Sequence, residues 1–375
     1  MGSFQFGYNL GVINAPESLI KEFMNSTNHA RTGSDLRGAA LTNLWAITVA
    51  IYSAGGCLGG FSAGWWATRF GRRGGCLLNI AIGIVAAVLM FVSKTAKSYE
   101  MIIIGRLIVG IHCGLYSGLV PLYLSEMSTP RIRGAVGVLH QLAVVTGLLV
   151  SQVLGFPVIL GTSSGWNVLL GLAVVPCVIQ GVILPFCPES HRYSLLTKGD
   201  EEASRNALRQ FRGSSNVEDE IEEMKRESAI CEKQMSILEL LRLPSLRQPL
   251  LIGVVMQLSQ QFSGINGVRS IPWLIVAELF AHDARPAALS VCVLVNWVSS
   301  FIVGYLFPIL QSGIKDYVFL PFTVLLALFV TFTFFKVPET KGKTYEEITG
   351  LWRSGKSSSD SSATKKENYG LTTNT

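Results

Sequence analysis

Apolar runs of close to twenty residues, separated by short charged segments, constrain this chain more than any other feature. They lie near 43–66, 76–93, 101–124, 135–160 and 166–187, and again near 249–281, 286–311 and 317–337. A helix needs about 20 such residues to cross the hydrocarbon core of a bilayer. In lipid every backbone polar group must find a partner within the protein, and unbroken runs of this length do so as helices. Only 15% of the 375 residues are charged and mean hydropathy is +0.41. A soluble domain carries nearer a quarter charged residues. The fold class is therefore an all-α polytopic membrane protein.

That class changes what the net charge of +6 means. Lys and Arg gather in cytoplasmic loops and set orientation, so the excess is no argument for nucleic acid. The 7 cysteines sit mostly inside apolar runs, with no CxxC pair, and read as small core residues. No Walker loop suggests ATP as a driver. No nucleophile motif, His–acid cluster or metal spacing marks an enzyme, and neither a cofactor nor a metal is expected.

Residues 1–20 form a short start, interrupted by Asn9, Asn14 and Pro16, like the second half of a span. Asn25, Ser26 and Thr27 make a glycosylation sequon in a polar stretch read as a loop, with Asn25 the acceptor. Arg69, Arg72 and Arg73 follow the second span, Arg131 and Arg133 the fourth, and a charged, helix-forming stretch fills 188–248. The positive-inside rule places these segments in the cytoplasm and the sequon outside. Lys94 and Lys97 run against that bias but are outnumbered. The organisation expected is a first membrane half at 1–187 with a shortened first span, and a cytoplasmic helical linker at 188–248. A shortened second half follows at 249–340, then a Ser-, Lys- and Thr-rich cytoplasmic tail at 341–375, which reads as disordered. Gly55, Gly56, Gly59, Gly60 and Gly64 would let helices approach closely.

Two further patterns bear on function. Glu126 precedes Arg133 by the same spacing as Glu278 precedes Arg285, and the Pro-Glu-Ser at 188–190 echoes the Pro-Glu-Thr at 338–340. Repeated halves with a site between them mark secondary transporters. The second pattern is the amide-bearing stretch at 255–280. On a helix Gln257, Gln260 and Gln261 form one polar stripe at i, i+3 and i+4, followed by Asn266 and Trp273. Two roles are open to it: gripping a neutral polyhydroxyl ligand, or joining helices by interhelical hydrogen bonds.

Eleven stretches carry a resemblance across nearly the whole chain. They are GYNLGVINAPE (7–17), RFGRR (69–73), GRLIVG (105–110), SEMSTPRIRG (125–134), LHQL (139–142) and PFCPES (185–190). The series continues with QLSQQFSGIN (257–266), IPWLIVAELF (271–280), RPAA (285–288), NW (296–297) and VPETKG (337–342). The chain resembles the facilitative glucose transporters, the sugar-porter branch of the major facilitator superfamily, nearest to class I members of type 3 or type 1. The resemblance implies a plasma-membrane carrier that moves D-glucose and related hexoses as a uniporter by alternating access. It implies sugar contacts at Gln141, Gln260, Gln261, Asn266 and Trp273, with His140 a packed neighbour of Gln141. It also implies gating ion pairs among Arg69, Arg72, Arg73, Glu126, Arg133, Glu189, Glu278, Arg285 and Glu339, although plain positive-inside anchoring would also place the arginines there. Proton-coupled members carry an acid where this chain has Asn9, which favours downhill transport.

The chain departs from that pattern between Asn266 and Ile271, where about three spans of ~20 residues each are absent. Positive-inside bias then favours a re-entrant hairpin over 249–281, turning near 267–272 with the tail inside, over the alternative of one long kinked span that would invert the last two spans. Two functions follow as expectations: a hexose facilitator, or a non-transporting isoform that associates with full-length relatives.

Overall fold

The computed structural model describes residues 1–36, 38–129, 132–213, 216–230, 237–262, 275, 279–280 and 284–337. Regular structure among them is helical throughout, and seven stretches are long and apolar enough to cross a membrane. The chain divides into two compact units, Met1–Cys231 with Val293–Pro321, and Glu232–Cys292 with Phe322–Thr375.

The first unit begins with α1 (Gly2–Gly11) and α2 (Glu17–Thr32). The loop expected around Asn25 is therefore a helix. Glu17 in the first turn of α2 and His29 and Arg31 in the last complement the helix dipole. Ile20 and Met24, one turn apart, bury one face. Asn25 accepts the Leu36 backbone N–H through Oδ1 at 2.7 Å.

The long apolar runs become α3 (Ala39–Phe70), α4 (Arg72–Val92), α5 (Glu100–Met127) and α6 (Arg133–Leu154). The next run is split into α7 (Trp166–Gly171) and α8 (Val174–Ile183), continued by a 3₁₀ turn at Leu184–Phe186. Glycines set how close these helices come. A Cβ on Gly55 would lie 2.1 Å from the Leu107 carbonyl oxygen, and one on Gly110 would lie 2.1 Å from that of Tyr52. Gly59 and Gly114 make the same approach one turn along, so α3 and α5 touch backbone to backbone. Gly7 of α1 and Gly147 of α6 form a second seam of this kind. Lipid offers no hydrophobic gain for joining two helices, so close backbone packing supplies the attraction.

Three short helices follow: α9 (His191–Leu196), α10 (Glu201–Arg212) and α11 (Glu218–Ile230). Asp200 caps α10 by accepting the Ala203 N–H at 2.9 Å, and Gly213 ends it in the left-handed conformation. Leu195, Leu208, Val217, Ile221 and Met224 form a small core of their own.

In the second unit lie α12 (Ile237–Arg242) and α13 (Pro244–Phe262). The division between the units falls within α14 (Arg285–Ile314) and within α15 (Phe319–Lys336). Leu250, Ile252, Met256, Phe280, Ala288 and Cys292 belong to the core of the second unit. None of the α15 side chains is buried, as suits a helix facing lipid on most sides. The hairpin turn expected near 267–272 and the tail at 341–375 lie outside the described residues.

Candidate functional site

Within the first unit, four of the sequence-selected charged residues meet at the ends of α4 and α5. Arg72 forks onto Glu126, with Nε donating to Oε2 at 2.8 Å and Nη2 to Oε1 at 2.7 Å. The pair is largely buried, with side-chain exposures of 13% and 10%. Bidentate geometry in a half-dry setting makes this a stronger contact than a surface pair. The Tyr193 ring lies 5.3 Å from the guanidinium, and Ser190 Oγ donates to Glu126 Oε2.

Glu189 does something different: it caps a helix. Its carboxylate accepts the backbone N–H groups of Arg72 and Arg73 at 2.9 Å each and of Gly74 at 3.2 Å. These are among the N–H groups a helix start leaves without intrahelical partners, and an anion there also meets the positive end of the dipole. Gly71 sits just before, at φ +80°, where a Cβ would come within 2.5 Å of Glu189 Oε2. The glycine of RFGRR is thus required twice, by backbone conformation and by the carboxylate beside it. Arg73 contributes its backbone to this cap, while Arg69 is exposed at the end of α3. Arg133 and Arg285 start α6 and α14, and their side chains lie outside the described residues, as do Glu278 and Glu339.

The amides expected to hold a ligand fall in both units. Gln141 is half-buried on α6, next to His140, whose Nδ1 lies 2.7 Å from Ser3 Oγ of α1. In the second unit Gln257, Gln260 and Gln261 do line one face of helix α13, and all three are buried. Gln261 Nε2 has no hydrogen-bond partner among the described residues. Leaving a buried donor unmet costs about 1–3 kcal/mol, a cost that a ligand oxygen would remove. Asn266 and Trp273 lie outside the described residues.

Comparison with known proteins decides what these clusters belong to. The chain matches the family described as "Sugar (and other) transporter" over residues 1–269 and 266–352. It is 40% identical to the ovine facilitated glucose transporter member 3 over 444 residues, covering 93% of this chain and 90% of the relative. The chain belongs to the sugar transporter family. It is also 39% identical to the chicken facilitated glucose transporter member 1, over 99% of this chain and 95% of the relative. The fold matches the inward-open xylose transporter XylE from E. coli with a TM-score of 0.74, at 21% identity and over 93% and 97% of the two chains. This is a transporter family, not an enzyme family. The two family matches meet at 266–269, where the sequence shows its gap, and a 444-residue alignment exceeds the 375 residues present. The second half is shortened, as expected.

The structure adds to this family member a buried polar network that sequence reading left without a role. Arg106 of the GRLIVG stretch is only 2% exposed. It donates to the Asn9 backbone carbonyl at 2.9 Å and stands 4.4 Å from the Tyr52 ring. Gln5 donates to Gln180 Oε1 at 3.0 Å, and its own Oε1 lies 2.8 Å from His112 Nε2. Asn79 Nδ2 donates to the His112 carbonyl at 2.9 Å. Arg106 was detectable: a lone cation in an apolar run is costly enough to demand an explanation.

Proposed function

We propose that this chain carries D-glucose and related hexoses down their gradient as a uniporter, by alternating access, across the plasma membrane. The observation that carries the reading is the amide stripe of α13. Three neutral carboxamides are buried on this helix, and Gln261 Nε2 has no partner among the described residues. Groups that both donate and accept suit sugar hydroxyls, which do the same. The relatives support the substrate class: several are facilitated glucose transporters, and XylE was solved bound to 6-bromo-6-deoxy-D-glucose. The resemblance adds Gln141, Asn266 and Trp273 as further proposed sugar contacts, the indole offering a stacking face. Downhill transport is favoured by Arg106. Among the described residues no carboxylate faces it, so the span holds no acid–base pair there for a proton to ride.

The ion pairs at the cytoplasmic helix ends act in this reading as the inner gate, with the linker and tail in the cytoplasm and Asn25 glycosylated outside. Enzymatic removal of glycans should shift the band of the native chain and leave that of Asn25→Gln unmoved. The test of function is uptake into proteoliposomes containing only this chain. Faster entry of D-glucose than of L-glucose is expected, and Gln261→Leu should slow it about tenfold, the loss of one ligand hydrogen bond in a dry site. Uptake no greater than in empty vesicles would refute transport.

A second reading, a non-transporting isoform that associates with full-length relatives, is favoured by the gap at 266–271. It predicts silent vesicles together with co-purification of a full-length facilitated glucose transporter.

A further inference from the structure

Arg212, the last residue of α10, does not belong to any of the family stretches read from sequence, yet it ties three elements together. Its Nε and Nη2 fork onto Glu220 of α11 at 3.1 and 2.6 Å. Its remaining Nη1 donates to the Met127 carbonyl at 2.9 Å. Met127 is the final residue of α5, and its carbonyl is one of those a helix end leaves without an intrahelical partner. A cation placed there also meets the negative end of the α5 dipole. The side chain is 15% exposed, so these bonds form largely out of water. Hydrogen bonding to Arg212 holds the Glu220 carboxyl below the usual carboxylate range.

Glu126, one residue before Met127, carries the fork to Arg72 and the bond from Ser190. The last turn of α5 is therefore gripped from two sides. Arg72 and Ser190 take the carboxylate, and Arg212 takes the backbone one residue further on. We propose that Arg212 is a positioning residue, fixing the end of α5 so that Glu126 stays within reach of Arg72 and tying the linker helices to that ion-pair cluster. This rests on the reading of the Arg72–Glu126 cluster as the inner gate. In this arrangement Glu220 is the anchor that orients the guanidinium, and the contact to Met127 is the one that matters for the cluster.

A charge exchange separates this role from simple stabilisation of the linker. Arg212→Glu combined with Glu220→Arg restores an ion pair between α10 and α11 but removes the cation at position 212 that donates to the Met127 carbonyl. Arg212→Lys keeps the charge on one donor nitrogen but loses the guanidinium fork. Hydrogen exchange by mass spectrometry on the full chain reads the end of α5 directly. Arg212→Gln and the charge exchange should each speed exchange over 124–129 about tenfold, as local opening of a helix end does. In the charge exchange, 203–211 should stay as protected as in the native chain, and Arg212→Lys should recover part of the effect at 124–129. The ratio of half-saturating glucose for efflux to that for influx should shift in step. A charge-exchanged chain with native exchange at 124–129 would overturn the proposal. Should the native chain show no uptake, the exchange measurement still decides the positioning role, and only the transport reading fails.

Discussion

Replacing Gly110 with alanine tests the backbone seam between α3 and α5 with the smallest change available. The new Cβ would stand 2.1 Å from the Tyr52 carbonyl oxygen, 2.9 Å from its carbon and 3.1 Å from Gly55 Cα. Ordinary contact begins at 3.4 Å, so the oxygen is too near by roughly 1.3 Å. All three obstacles are backbone atoms of α3, and no side chain can swing aside. Overpacking usually costs about 1–3 kcal/mol where side chains can adapt, and here the upper end applies. Separating the helices also moves Tyr52 from its place 4.4 Å from the Arg106 guanidinium, a desolvated cation–π contact worth about 1–2 kcal/mol. Gly64→Ala is the matched control, because a Cβ there meets nothing within 4 Å. Both substitutions bring the same helix-propensity gain, about 1 kcal/mol, so their difference isolates the clash. Thermal unfolding in detergent, followed by size-exclusion after heating, should show Gly110→Ala aggregating well below the native chain and Gly64→Ala at or above it. Equal melting of the two variants would refute a close-packed seam.

Glu189→Gln should cost about 1 kcal/mol of thermal stability, because the start of α4 keeps an acceptor but loses the anion at its dipole. The native chain and the variant compared in the same detergent would show it. His191 predicts acid sensitivity in the linker. Burial lowers its pKa from 6.5 to about 4, with Glu220 opposing and Arg212 and Arg192 assisting the shift. The unfolded linker then binds the extra proton first, so stability should fall as pH drops from 6.5 towards 4, by about 3 kcal/mol at most. His191→Gln should flatten that slope in a pH series of linker protection read by hydrogen exchange.

What sequence could and could not disclose follows from how each feature is encoded. Spans announce themselves by length and composition, and α3 to α6 lie where the apolar runs placed them. Glycine spacing foretold the α3 side of its seam, through Gly55 and Gly59. The Arg72–Glu126 pair was reachable because its motifs match a family, whereas Glu189, expected in an ion pair, accepts backbone N–H groups at the start of α4, which sequence did not disclose. The partners of single polar residues far apart in sequence left no trace, even where a residue such as Arg106 was itself conspicuous. Gln5 with Gln180, and Arg106 with the Asn9 carbonyl, are isolated letters in greasy runs until the helices are packed. Asn25 misled for the opposite reason: a polar composition suggested a loop, while dipole-matched termini and two buried residues a turn apart made a helix.

The seams also restrict how the first half can move. Where Gly55, Gly59, Gly110 and Gly114 abut the opposite main chain, neither α3 nor α5 can slide along its neighbour without driving a carbonyl into an α-carbon. The same holds where Gly7 and Gly147 lock α1 to α6. Each pair must tilt as a single plank, and any bending that a working cycle demands has to be taken up at other joints.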